Sequence, residues 1–422
     1  MSSANAELIV DSSAVAANTR VFAERSSGTL MAVVKADAFG HGDQAATVLA
    51  HGAGALGVTS LGEAFALRDA GVTAPVLSWL NQIDADFEQA ILRRVEVAVG
   101  SLEHLQAVIR ASAVAKAPAL VHLHVDIGMG RDGIPIELWN SLCTLAALAT
   151  KQGLVRVVGV MGHFSSADEP DAAQHVRERL VFENAVRAAR RIGLSPRFVH
   201  VAATAAVATN AGSALANMER VGAGLYGIDP SQTLTLQHAL TLRSRVIGVR
   251  TVAAGTGVGY GHDFVTDRHG SLALIPLGYG DGLPRNIDGR AEVLVRGRRF
   301  PIVGRVSMDQ IVIDTGAQLL EPGDAVTIFG PGTDGEPTAA NWASWADTIE
   351  HDIVTRIGAR VSRVSRSVLP VRVPESGDAA PGESAASPAS TTTPVLATPA
   401  PTSSTTPTSP RRTLRQHSRS AA

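Results

Sequence analysis

Eight short runs of β-branched and small apolar residues, most of them followed by a longer stretch with helical periodicity, constrain this chain more than any other feature. The runs lie at 31–35, 55–60, 75–80, 95–100, 119–126, 155–163, 197–203 and 217–224, with helical stretches such as 101–116 and 172–192 between them. Strands that alternate with helices predict right-handed βαβ units and a parallel sheet. Eight such units are what a closed (β/α)8 barrel requires. The competing arrangement, an open doubly wound sheet, calls for a G-x-G-x-x-G turn after the first strand, and none is present. The expected fold is therefore α/β, with an N-terminal (β/α)8 TIM-like barrel over residues 1–227.

Beyond Gly227 the texture changes to strands and turns, as in SLALIPLGYG, AEVLVRGRRFPIVGRV and AVTIFG. The RG of VRGRR reads as a hairpin turn between alternating flanks. One helix is expected at 338–349, so residues 228–373 are read as a mainly antiparallel C-terminal β domain. Residues 374–422 are rich in Pro, Ser, Thr and Ala and nearly free of large apolar side chains. Such a segment cannot offset its ordering entropy and is expected to be a disordered tail, ending in a small basic patch of Arg411, Arg412, Arg415 and Arg419.

Charge excludes some partners. Lys and Arg number 37 against 39 Asp and Glu, a net charge of −2, so neither nucleic acid nor an acidic membrane surface is indicated. No apolar run approaches the ~18 residues of a membrane span. The first residues, MSSANAELIV, lack a basic segment followed by an apolar one, so a cytoplasmic location is expected. Cys143, the one cysteine, falls in an apolar run and reads as a buried thiol.

A barrel of this kind carries its active site at the C-terminal ends of the strands. The polar residues expected there are Lys35, Asp126, Arg131, His163, Thr204 and Arg220, with Gly222 and Ala223 in a small-residue turn. A lysine, two arginines, a histidine and a turn able to cradle phosphate point to pyridoxal phosphate held as a Schiff base. His122, His124 and Asp126 alternate on one strand with metal-ligand spacing, but a hydrogen-bonded barrel interior is the preferred reading, and no metal is expected.

The wider strings carry a resemblance. AVVKADAFGHG (residues 32–42), VHLHVDIGMGRDG (121–133), GVMGHF (159–164), VHVAATAA (199–206) and NMERVGAGLYG (217–227) resemble, in order, the motifs of the alanine racemase family. VGYGHDF (258–264), GYGDGLPR (278–285), VGRVSMDQ (303–310) and RVSR (360–363) continue the match through the β domain. The resemblance implies a pyridoxal-phosphate racemase that interconverts L- and D-alanine, works as a homodimer with shared sites, and supplies D-alanine for cell-wall precursors.

Roles follow from the resemblance residue by residue. Lys35 would hold the cofactor and act as one of two bases at the substrate Cα, with Tyr260 as the base on the opposite face. Arg220 would face the pyridine nitrogen, where a cation disfavours protonation. His163 would lie by the ring and couple Arg220 to Tyr260. Thr204, Gly222 and Ala223 would bind the phosphate, and His351 would line the inner site. Arg131 would assist the phenolate or the substrate carboxylate. Met308 and Asp309 would approach that carboxylate from a neighbouring subunit, and Tyr279 and Asp168 would line the entrance.

Four positions depart from the family pattern. Phe39 stands where a tyrosine normally donates to the phosphate, and His351 replaces a second tyrosine. Ala203 replaces an asparagine, and His124 replaces a lysine that many members carbamylate to orient the arginine of the GMGR loop. Each change removes a polar contact rather than a proton-transfer group. They leave open a racemase of broader range, accepting serine or larger amino acids. A decarboxylase of the same plan pairs an acidic residue with the pyridine nitrogen, where this chain has Arg220. A non-catalytic cofactor-binding paralogue would need neither Tyr260 nor the β domain.

Overall fold

The computed structural model describes residues 5–169 and 172–366. The expected tail, with its Arg411–Arg412–Arg415–Arg419 patch, lies outside the described residues.

An unforeseen strand comes first. β1 (Ala6–Asp11) buries Ala6, Leu8 and Val10 on one face, the period-two pattern of a half-buried strand. Asp11 ends it and caps the following helix, Ser12–Arg25, by accepting from the N–H groups of Ser13 (2.9 Å) and Ala14 (3.3 Å). That helix packs Val15 and Phe22 into the core.

The barrel strands are β2 (Thr29–Val33), β3 (Ala53–Val58), β4 (Val76–Ser78), β5 (Glu96–Val99), β6 (Ala119–His124), β7 (Val155–Met161), β8 (Phe198–His200) and β9 (Met218–Val221). All neighbours are parallel, in the order β8-β7-β6-β5-β4-β3-β2-β9. Closure between β8 and β9 comes from Asn217 N–H to Val199 O (3.0 Å) and Arg220 N–H to Ala202 O (3.0 Å), and the Asn217 side chain accepts from Val199 N–H (2.8 Å). Met31, Ala55, Leu77, Ala98, Val158, Met161, Phe198 and Met218 fill the interior with an apolar cluster. Glu96, His122, His200 and Arg220, all buried, are the register partners of Leu77, Ala98, Met161 and Met31 of that cluster. The eight-strand reading is correct, with most boundaries displaced by one to a few residues.

The second sheet has nine strands, in the order β11-β14-β17-β16-β15-β18-β10-β1-β19. They are β10 (Leu240–Arg245), β11 (Gly248–Val252), β14 (Gly270–Ile275), β15 (Glu292–Val295), β16 (Arg298–Val303), β17 (Ile311–Gly316), β18 (Ala325–Phe329) and β19 (Ser362–Arg366), together with β1. The two remaining strands, β12 (Gly257–Val258) and β13 (Phe264–Val265), form a separate ribbon. β1 lies between β10, antiparallel to it, and β19, parallel to it, so this strand belongs to the sheet of the β domain and not to the barrel. The hairpin of β15 and β16 turns at Arg296 and Gly297, both at positive φ (50° and 75°), as the RG pair predicts. The single helix expected at 338–349 is instead two, Ala339–Trp345 and Glu350–Thr355. Thr338 and Asn341 cap the first reciprocally, and Asp347 at φ 51° breaks the helical path between them. Among the described residues no helix is long and apolar enough to cross a membrane.

Candidate active site

Lys35 follows β2 at the mouth of the barrel and opens an uncommon turn. Ala36, Asp37, Ala38 and Phe39 all have φ between 50° and 56°, one turn of left-handed helix built without glycine. Each such residue costs roughly 1–2 kcal/mol, so the surroundings must hold the turn in place. Glu63 does this from the helix after β3, Leu61–Asp69: its Oε1 accepts from Ala36 N–H (2.7 Å), and its Oε2 takes Thr59 N–H (2.9 Å) and Ser60 N–H (3.1 Å). The His41 Nδ1 lies 2.9 Å from the carbonyls of both Ala38 and Phe39. The Phe39 ring packs 5.2 Å from Tyr226 and presses on Gly222, where a Cβ would come within 2.8 Å of it. The Lys35 ammonium lies 5.9 Å from the centre of the same ring, and burial together with Arg131 holds its pKa below the ordinary lysine value.

Lys35, Phe39 and Gly222 lie on the wall of a cavity of about 700 Å³. Lys35, Arg131, His163, Asp168, Thr204, Arg220, Gly222, Ala223 and His351 all face it, as do the departures Phe39, His124 and Ala203. The other four expected residues do not line the cavity of their own chain. Tyr260, Tyr279 and Met308 are exposed, and Asp309 pairs with Arg360 (2.8 Å) on the surface of the β domain. Tyr279 N–H donates to Ser307 O (3.0 Å) and Gly280 N–H to Met308 O (2.8 Å), so those two loops share one patch.

Arg220 is fully enclosed, and burial lowers its pKa to about 10, so it stays charged near neutrality. It has no carboxylate partner among the described residues. Its Nη2 donates to Gly162 O (2.8 Å) and lies 3.1 Å from His163 Nδ1, and its Nη1 lies 3.0 Å from His200 Nδ1. From His200 a chain of contacts runs on: Nε2 to His122 Nδ1 (2.8 Å), then His122 Nε2 to Glu96 Oε2 (2.8 Å). Because a guanidinium only donates, one proton arrangement satisfies every link. His200 carries its hydrogen on Nε2, His122 carries its own on Nε2, and Glu96 accepts at the end. By the same logic His163 accepts at Nδ1 and turns Nε2–H toward the cavity. Burial, Arg220 and Arg131 together hold His163 neutral, with a pKa lowered to about 3.

The three residues with metal-ligand spacing go separate ways. His122 belongs to the buried chain, His124 Nδ1 pairs with Asp132 Oδ2 (3.3 Å), and Asp126 Oδ1 accepts from the N–H groups of Gly128 (2.9 Å) and Met129 (3.0 Å). Sequence reasoning missed Glu96, His200 and Glu63. The first two show only as inward positions of alternating strands, whereas Ser60-x-x-Glu63 is a capping-box signature that marks the clamp.

Profiles described as alanine racemase, N-terminal domain, and alanine racemase, C-terminal domain, match residues 10–230 and 239–365. The chain belongs to the alanine racemase family. It is 42% identical over 365 residues to an alanine racemase of Thermobifida fusca, covering 85% of this chain and 97% of that one. An alanine racemase of Mycolicibacterium smegmatis is 41% identical over 374 residues, covering 85% and 94%. Among solved structures, the alanine racemase from D-cycloserine-producing Streptomyces lavendulae superposes with a TM-score of 0.85 at 38% identity, covering 87% of this chain and 99% of that one. The alanine racemase from Bacillus anthracis with bound L-Ala-P gives 0.79 at 30% identity, covering 87% and 96%.

The donor set fits the cofactor associated with alanine racemases. Thr204 Oγ1 already accepts from Gly224 N–H (3.2 Å), so its own hydrogen is free for a phosphate oxygen. The amine of Lys35 and the guanidinium of Arg220 face one cavity, and the cationic lining suits a dianion.

Proposed function

We propose that this chain racemises alanine with pyridoxal phosphate, as a cytoplasmic homodimer that supplies D-alanine for cell-wall precursors. The observation that carries the reading is Arg220, a buried cation facing the cavity where a decarboxylase of this plan would have a carboxylate. Lys35 would hold the cofactor covalently. Thr204, Gly222 and Ala223 would hold its phosphate, with His351 on the same wall. Bound pyridoxal phosphate supplies a sink for the electron pair left when a proton leaves Cα.

The protein's part is to place two bases. Lys35 takes or returns the Cα proton from one side, at an amine whose basicity burial and Arg131 already reduce. Tyr260 serves the opposite side. It projects from the β domain and is 71% exposed in a single chain, which suits a residue that completes a partner's site. Met308 and Asp309 would reach the substrate carboxylate in the same way, with Tyr279 and Asp168 flanking the approach. Arg131 makes no hydrogen bond to any described residue and is free to take that carboxylate. The neutral His163 presents Nε2–H between Arg220 and the tyrosine. The corresponding division is a barrel to about residue 227 and a β domain over 228–373, amended by the crossing of β1.

The test is a chiral assay of the purified protein with L-alanine, L-serine and larger L-amino acids. Alanine turnover well above the rest is expected. Faster turnover of serine would favour the broader-range reading, for which His351 on the inner wall is the specific motive. No racemisation of any amino acid by cofactor-loaded protein would refute the proposal.

A further inference from the structure

The loop after β6 places an arginine and an aspartate side by side on the cavity wall, yet they are not partners. Arg131 and Asp132 both line the cavity, and Arg131 hydrogen-bonds no described residue. An aspartate beside a guanidinium in a cation-rich cavity pairs with it unless something else holds the carboxylate. Here something does. Asp132 Oδ1 accepts from Gly133 N–H (2.7 Å), and Oδ2 takes His124 Nδ1 (3.3 Å) from the end of β6. The loop is fixed around this pair, because Ile134 N–H donates to His124 O (2.9 Å) and Asp126 N–H to Ile134 O (3.0 Å). His104, on the helix Leu102–Ala115, is a second imidazole close enough to stabilise the Asp132 charge, and its buried Nε2 has no partner among the described residues.

We propose that His124 is a positioning residue that sequesters the Asp132 carboxylate and so keeps Arg131 unpaired for the carboxylate of the substrate. This rests on the reading of Arg131 as the substrate-carboxylate ligand. Without the His124 N–H, the Asp132 carboxylate has one backbone donor left, and Arg131 lines the same small pocket as Asp132. It then competes with the substrate for Arg131. The competition is internal, so it weakens uptake of a carboxylate without touching the proton-transfer groups, and removing the competitor restores uptake.

The experiment titrates cofactor-loaded protein with acetate, a carboxylate that cannot react, and reads binding from the shift of the cofactor's absorption band. His124→Phe keeps a ring of similar size without a donor. Its acetate Kd should rise about tenfold, since a charged hydrogen-bonding partner is diverted. Its KM for alanine should rise likewise while kcat changes less than twofold. The double variant His124→Phe/Asp132→Asn should return to within about twofold of wild type, a reversal that a merely structural role for His124 does not produce. Asp132→Asn alone should bind acetate as well as wild type or better, which keeps the idea testable even if His124→Phe does not fold. An unchanged Kd in His124→Phe, a double variant as weak as the single, or weaker binding in Asp132→Asn would each overturn the proposal. Arg131→Gln separates the two levels: acetate affinity equal to wild type there shows that the underlying reading of Arg131 has failed, and the sequestration with it.

Discussion

Gly159→Ala offers a direct test of the buried chain that ends at Arg220. Gly159 is the register partner of His122 across the β6–β7 pair. A methyl group built on it would lie 2.1 Å from His122 Nδ1 and 2.6 Å from Cε1. The ring cannot yield by a small shift, because it is wholly buried and both nitrogens are engaged, with His200 and Glu96. It must leave its place, and the Glu96 carboxylate then loses its partner in the barrel interior. Overpacking alone costs about 1–3 kcal/mol, and leaving a buried carboxylate without its partner about 3–5 kcal/mol. Both arise from one displacement, so the expected loss is about 3–5 kcal/mol rather than their sum. Urea unfolding followed by circular dichroism measures it. His122→Ala supplies the second corner of a cycle, since it removes both the obstacle and the pair. Adding Gly159→Ala to His122→Ala should then cost less than ~1 kcal/mol, a coupling of at least ~2 kcal/mol. Additive effects, or a Gly159→Ala protein within ~1 kcal/mol of wild type, would show that His122 is not locked in this chain.

Further expectations attach to single residues. Borohydride reduction of the cofactor-loaded protein should fix the label to Lys35, and peptide mapping to another lysine removes that assignment. Phe39→Tyr restores a donor beside the expected phosphate site and should tighten pyridoxal-phosphate binding about tenfold by equilibrium dialysis, one charged hydrogen bond being worth roughly 1.5–3 kcal/mol; equal Kd values count against it. Lys35→Ala and Tyr260→Phe should each be nearly inactive, yet mixing them with subunit exchange should recover roughly a quarter of wild-type activity, because half the dimers hold one intact site. Background activity despite demonstrated heterodimers means that Tyr260 does not serve a shared site. Acid should destabilise the fold through its depressed histidines: burial lowers the pKa of His163 to about 3 and that of His41 to about 4 in the folded chain, against 6.5 ordinarily. Their contribution is complete above pH 6.5, where both states are neutral, and is lost as pH falls toward 4 and 3 because the unfolded chain binds the protons first. The urea midpoint should therefore drop between pH 7 and pH 4.5, and a midpoint that holds or rises across that interval contradicts the assignment.

The barrel was legible because its signal is local and repeated: each run such as 119–126 alternates or saturates with apolar residues and is bounded by helix-period sequence. The mouth residues Lys35, Arg131, His163, Thr204 and Arg220 were legible for the same reason, since a strand end can be read from a strand. β1 was not. Its six residues follow no helix-period unit, and pairing with β10 and β19 is a contact across most of the chain that nothing local announces. Glu96 and His200 stayed hidden because an inward polar residue in a strand looks the same whether it is solvated or wired to a neighbour. The left-handed turn at Ala36–Phe39 was invisible for a different reason: alanine has no preference for that conformation, which is imposed by Glu63 and His41 from outside.

The place of β1 also has a consequence in time. Ala6 pairs with Ser244 and Glu7 with Arg243, partners made more than two hundred residues later. At a synthesis rate of about 5–20 residues per second, the strand is without a partner for roughly 10–50 s. Through that interval Leu8 and Val10 are apolar groups on a strand with two open edges, the condition that invites mispairing with another nascent chain. Its second neighbour, β19, arrives later still. Closing the barrel makes a similar demand on β2, whose Met31 waits for Arg220, but β2 soon has β3 beside it, whereas β1 has neither of its neighbours.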